Sequence, residues 1–208
     1  MKVQVFQSNK QNKGPVSLRC PHCNHEAIFR QIGEDLFLGQ NIYCGQRACP
    51  EESCKGHIFV VFDGNNLVKS YPPIRIDFDK ENIPTQVINT FEEALDCHAN
   101  EAFIASAIMV RRTLEEICSD KSAQGSTLKA RLKDLRSKIV IPQELFDAMD
   151  DLRILGNDAA HVEARDFSKI SSEELNIAIE LTKEILKALY QYSGLLGRLK
   201  NLKSDTGA

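Results

Sequence analysis

Five of the seven cysteines in this 208-residue chain lie between Cys20 and Cys54, and two of them form the knuckle Cys20-Pro-His-Cys23. Two residues between the thiols let both sulfurs point at one ion from a tight turn. The second pair must come from YCGQRACPEESCKGH. Cys49 and Cys54 are preferred, because Cys54 stands just ahead of the apolar run HIFVVF; Cys44 with Cys49 has equal spacing and remains the rival pair. His22, His25 and His57 are further candidate ligands. A lobe of roughly 70 residues with short strands buries little apolar surface and usually needs such a staple. The expectation is therefore a structural zinc on Cys20, Cys23, Cys49 and Cys54, with Cys44 as the alternate. Four thiolates leave no open position for a catalytic water.

Around this cluster the sequence has two grammars, which predict an α+β fold. Residues 1–70 read as a zinc-ribbon-like β lobe: KVQVF, EAIFRQI, LFLGQNIYC and HIFVVFD are short aromatic and β-branched runs, and DGNN is the clearest turn. Residues 71–84 hold three prolines in YPPIRIDFDKENIP and read as an extended linker. Residues 85–203 repeat apolar positions at helical spacing in about five segments with short connections, an antiparallel bundle. Residues 204–208 are expected to be a flexible tail. Pro142 opens the fourth helix, and Ser171 with Glu174 is a capping-box pattern opening the last. An odd cysteine count behind the polar start MKVQVFQSNKQNKG argues against disulfides and for the cytoplasm. No apolar run approaches the roughly 18 residues needed to span a bilayer, so no membrane partner is expected.

In LRILGNDAAH, Arg153, Asn157 and His161 fall four apart and stack on one helix face. Gly156 and Ala160 at its edge would let another helix or a ligand come close. Arg111 and Glu115, also four apart, lie on the side of their helix that holds Ile108 and Cys118. The five polar residues are candidates for one shared site. An Arg111–Glu115 pair that merely fixes helix packing accounts for part of the same pattern, since buried charge is costly unless paired.

GNDAAH, preceded by LR and partnered with MVRRTLEE, resembles the bacterial family catalogued as domain of unknown function 4145. The Tyr-Pro-Pro linker and the ribbon-like start fit the resemblance, which runs from about Cys20 to Tyr190. That family in turn is similar to the HEPN superfamily of helical domains, many of them metal-independent endoribonucleases of toxin, restriction and antiphage systems. The resemblance implies a motif of arginine, a polar residue and a following histidine. Asn157 and His161 take the last two places, but Gly156 stands where the arginine belongs, and the nearest upstream cation is Arg153. Imidazole would move protons at neutral pH and an arginine would hold the phosphate that gains charge. An enzyme would thus use His161, Asn157 and Arg153 or Arg111, with Glu115 as the partner of Arg111.

Within LKARLKDLRSK, Lys129, Lys133 and Arg136 share a face that could follow a nucleic-acid backbone; a solvated outer face of the bundle is the commoner explanation of such a run. The net charge of −3 excludes a phosphate-binding surface spread over the whole chain. The leading expectation is a non-catalytic accessory module that binds RNA, DNA or a partner protein within a restriction, toxin or antiphage-defence system. The alternatives are a metal-independent endoribonuclease and a structural homodimeric adaptor.

Overall fold

Period-two burial organises the first part of the chain. In β5 (His57–Asp63) Ile58, Val60 and Phe62 turn inward while His57 and Phe59 turn out. The computed structural model describes residues 9–160 and 170–205; the run KVQVF and His161 therefore lie outside the described residues. The chain is α+β and divides into two units, residues 1–77 and 78–208.

The first unit is one antiparallel sheet. Besides β5 it contains β1 (Asn9–Gln11), β2 (Val16–Arg19), β3 (Glu26–Gly39), β4 (Ile42–Ala48) and β6 (Asn66–Tyr71). The order is β1-β3-β4-β5-β6, with β2 also on β3. EAIFRQI and the start of LFLGQNIYC, two runs in the sequence, are one strand β3 that breaks register between Ile32 and Leu36 around Gly33, φ +70°. Its first part pairs with β2 and its second with β1. Gln40 and Asn41, both at positive φ, make the two-residue turn to β4, the twist that hairpins favour. Leu18, Phe29, Tyr43, Ile58, Val60 and Phe62 form the core together with Cys20 and Cys49.

The second unit is helical: α1 (Thr85–Ala99), α2 (Phe103–Asp120), α3 (Leu128–Lys138), α4 (Gln143–Ala160), α5 (Ser172–Leu186) and α6 (Tyr192–Asp205). Residues of the proline-bearing stretch join it, since buried Phe78 meets the Phe91 ring edge-on at 4.8 Å. The Thr127 hydroxyl caps α3 by accepting from Ala130 N–H, and Ser171 with Glu174 closes the expected capping box on α5. One π-helical turn, Lys187–Gln191, joins α5 to α6 and buries Tyr190 and Gln191. There Tyr190 Oη donates to Asp120 Oδ2 at 2.9 Å and Gln191 Nε2 donates to the Asp79 carbonyl at 2.8 Å. Among the described residues, no helix is long and apolar enough to cross a membrane.

Helix α2 packs on α1 and α4 through Val110, Leu114 and Ile117, all fully buried. Its approach to α4 depends on Gly156: a Cβ there would stand 2.4 Å from Arg111 Cβ and 2.9 Å from the Ala107 carbonyl oxygen. Neither atom is the far end of a flexible side chain. Gly156→Ala gains about 1 kcal/mol of helix propensity but overpacks the contact, which costs about 1–3 kcal/mol. The variant should therefore unfold at lower denaturant concentration than the parent; equal or greater stability in urea titrations would show that the two helices can part cheaply.

Candidate functional site

Two turns carry the cysteine cluster. In the first, Asn24 at φ +63° lets its N–H reach the Cys20 carbonyl, while Cys20 N–H donates to the His25 carbonyl, both at 2.9 Å. In the second, Cys54 and Lys55 N–H groups both donate to the Glu51 carbonyl, with Lys55 at φ +49°. Cys49 N–H donates to the Gly56 carbonyl at 2.9 Å, holding the loop's ends together.

These turns bring the sulfurs of Cys20, Cys23, Cys49 and Cys54 within 4.8 Å of one another. Four thiolates about 2.3 Å from a central ion span a tetrahedron with edges of about 3.8 Å. The structure gives 3.8 Å for Cys20–Cys54 and 3.7 Å for Cys23–Cys49. The residues therefore fit one tetrahedral metal ion. Burial pushes the Cys49 thiol up to about 12, whereas the backbone N–H of His25 draws the Cys23 thiol down. A dication is what would make four adjacent thiolates tolerable in so small a space.

Cys44 does not join them. It sits in mid-strand opposite Leu36 and Val61, on the sheet face away from the core. The second pair is therefore Cys49 with Cys54, not Cys44 with Cys49. None of the candidate histidines joins the cluster. The His22 ring lies over Gly56, where a Cβ would come within 2.4 Å of it, and Nε2 donates to the His57 carbonyl at 3.0 Å.

The helical row is assembled around Arg111. Arg111 Nη1 donates to the Arg153 carbonyl at 3.1 Å, and its Nε lies 3.6 Å from Glu115 Oε1. Arg153 Nε donates to Asp150 Oδ1 at 2.7 Å, which holds that carboxyl below the usual carboxylate range. The Glu115 carbonyl accepts from Arg131 Nη2 at 3.3 Å, tying α3 to α2. Arg111, Glu115 and Arg153 thus meet as a bracket between α2 and α4 beside Gly156. Asn157 is half-buried at the next position, and His161 lies outside the described residues.

The basic residues of α3 gather as the spacing implies. Lys129, Lys133 and Arg136 line a surface groove of about 580 Å³, with Leu132 and Phe146 at its base. Two acids share the groove: Asp147 lies 3.4 Å from Arg136 Nη2, and Asp150 faces the same space. Sequence reasoning missed both, because they belong to α4 and only helix packing sets them opposite α3. The Arg136 guanidinium also lies over the Phe146 ring at 5.0 Å.

Metal removal separates the cysteines experimentally. Cys20→Ser or Cys54→Ser should abolish the single bound metal equivalent measured by elemental analysis and release the sheet's near-ultraviolet signal. Cys44→Ser should retain the metal in full. Metal loss in Cys44→Ser alone would overturn the assignment.

The family described as a domain of unknown function (DUF4145) matches residues 92–204. No curated protein and no solved structure matches the chain. The matched span runs from within α1 to the last turn of α6, with the Arg111–Glu115 bracket, Gly156 and the basic row of α3, and the chain belongs to the DUF4145 family.

Proposed function

We propose that this chain is a non-catalytic nucleic-acid-binding accessory module of a bacterial restriction, toxin or antiphage-defence system, acting in the cytoplasm. Its β lobe is held by a structural zinc, since four thiolates suit that ion and close its coordination sphere. Its helical unit is HEPN-like. One observation carries the non-catalytic part: the two arginines that a phosphodiester cut would need are spent within the protein. Arg111 serves the Arg153 carbonyl and Glu115, and Arg153 serves Asp150. A transition-state clamp must instead aim a fixed cation at the phosphate that gains charge. The row Lys129, Lys133 and Arg136 supports backbone binding, because three cations open onto one groove.

The test uses structured RNA in buffer without divalent cations. The protein should leave the RNA intact. Replacing Lys129, Lys133 and Arg136 by alanine should weaken binding and flatten its salt dependence by about one unit of slope per lost phosphate contact. Cutting that disappears in His161→Ala would replace this reading with the endoribonuclease.

A homodimeric adaptor is the second reading, and α6 favours it. Tyr192, Leu195, Leu199 and Leu202 repeat at coiled-coil spacing and are between 49% and 66% exposed, with Leu196 beside them. A stripe of that size left in water marks an association surface. Sedimentation should give a dimer for the parent chain and a monomer of unchanged helicity for the double substitution Leu195→Glu, Leu199→Glu. A monomeric parent at tens of micromolar would remove the adaptor.

A further inference from the structure

The sheet face opposite the core carries aromatic rings that neither core uses. Cross-strand register places Ile32, Gln46, Phe59 and Tyr71 in one row across β3, β4, β5 and β6. Phe59 is 40% and Tyr71 52% exposed, with ring centroids 6.5 Å apart. Cations stand on both sides of this row. One register step along β3, Arg30 stands opposite Ala48; one step the other way, Lys69 pairs with Val61. Same-face neighbours along a strand are about 6.8 Å apart and adjacent strands about 4.8 Å, so Lys69 stands about 7 Å from Tyr71 along its strand and Arg30 about 12 Å from Phe59, backbone to backbone.

Charge separates the two halves of the chain. Residues 1–77 carry nine Lys and Arg against seven Asp and Glu, and residues 78–208 carry 17 against 22. The lobe with the exposed rings is the basic one. Two of its arginines are already paired: Arg47 with Asp35, and Arg19 with Glu26 and Asp77.

We propose that this face is a stacking platform for single-stranded nucleic acid. It rests on the nucleic-acid reading above and adds a second contact and a preferred strandedness. Phe59 and Tyr71 stack on successive bases, Arg30 meets a phosphate, and Gln46 beside Phe59 offers both a donor and an acceptor to a base edge. Paired bases hide their faces inside a duplex, so the platform selects single strands. Stacking accepts any base, so it carries little sequence preference.

Fluorescence anisotropy of the full, metal-loaded chain with labelled 12-nucleotide oligo(dT) and oligo(U), and with a 12-base-pair duplex, tests this. The single strands should bind more tightly than the duplex. The double substitution Phe59→Ala, Tyr71→Ala should weaken them at least tenfold, given roughly 5- to 100-fold per stacked ring. Phe59→Leu, Tyr71→Leu keeps apolar bulk in the sheet and should lose affinity to a similar degree with metal content unchanged. Leucine variants that bind like the parent would overturn the platform. So would tighter binding of the duplex. If affinity falls only in the α3 alanine variant, the platform fails while the nucleic-acid reading stands. A parent chain that binds none of the three probes overturns both.

Discussion

Four sulfurs within 4.8 Å of one another are the constraint on which the β lobe depends. They join points 34 residues apart in the chain, the turn after β2 and the loop before β5. Closing that loop without a crosslink would cost entropy that a core of a few aromatic and aliphatic side chains offsets poorly. The turns are shaped for the purpose: Asn24 and Lys55 adopt left-handed conformations, and their own N–H groups donate to the Cys20 and Glu51 carbonyls. With both turns held, β4 and β5 pair over their whole length from Ile42↔Asp63 to Ala48↔His57. Because a one-residue slip would exchange the two faces of a strand, this register also decides which side chains meet solvent.

The same sheet contains an ion pair that the sequence pattern does not announce. Asp35 and Arg47 are fully buried and joined by two bonds, of 2.7 and 2.9 Å. Lys13 N–H donates to the Asp35 carboxylate, and Arg47 Nη1 donates to the Gln46 carbonyl. Gly45 makes room, since a Cβ there would stand 1.8 Å from Asp35 Oδ1. Such a pair contributes little net stability over an apolar substitute, yet removing one partner strands the other at about 3–5 kcal/mol. It enforces the pairing of β3 with β4 more than it strengthens it. In the helical unit the Arg111–Glu115 pair is half-exposed and looser, at 3.6 Å, and solvent screens it. There the close approach is secured by the missing side chain at Gly156.

The helices were legible because local signals agree: apolar spacing gives α1 its range Thr85–Ala99, and Thr127 and Ser171 cap where hydroxyls can. The cysteine cluster was legible because thiol spacing is itself the geometry of such a site. The place of Cys54 ahead of HIFVVF already favours it over Cys44, and strand parity, which puts Cys44 on the far face, excludes the rival. Other features needed three dimensions. The π turn depends on Asp120 and Asp79 as partners for Tyr190 and Gln191, 70 and 112 residues away in the chain. Asp147 and Asp150 oppose the α3 cations only once α3 and α4 pack. Phe59 reads as one more apolar residue in HIFVVFD until register sets it beside Tyr71.

What each part leaves exposed follows from what its own packing consumes. Arg111 is used between α2 and α4, Arg153 is held by Asp150 within α4, and Arg47 and Asp35 bind each other within the sheet. The α3 row is available but tempered, because Asp147 and Asp150 already neutralise part of the field in that groove. On the proposed reading, fewer counterions would leave when a phosphate backbone arrives, and the salt-dependent share of binding would shrink accordingly. Stacking on Phe59 and Tyr71 would release few counterions. On the proposed reading, rings rather than lysines would carry most of the affinity that survives at high ionic strength, as suits a chain whose helical unit is acidic overall.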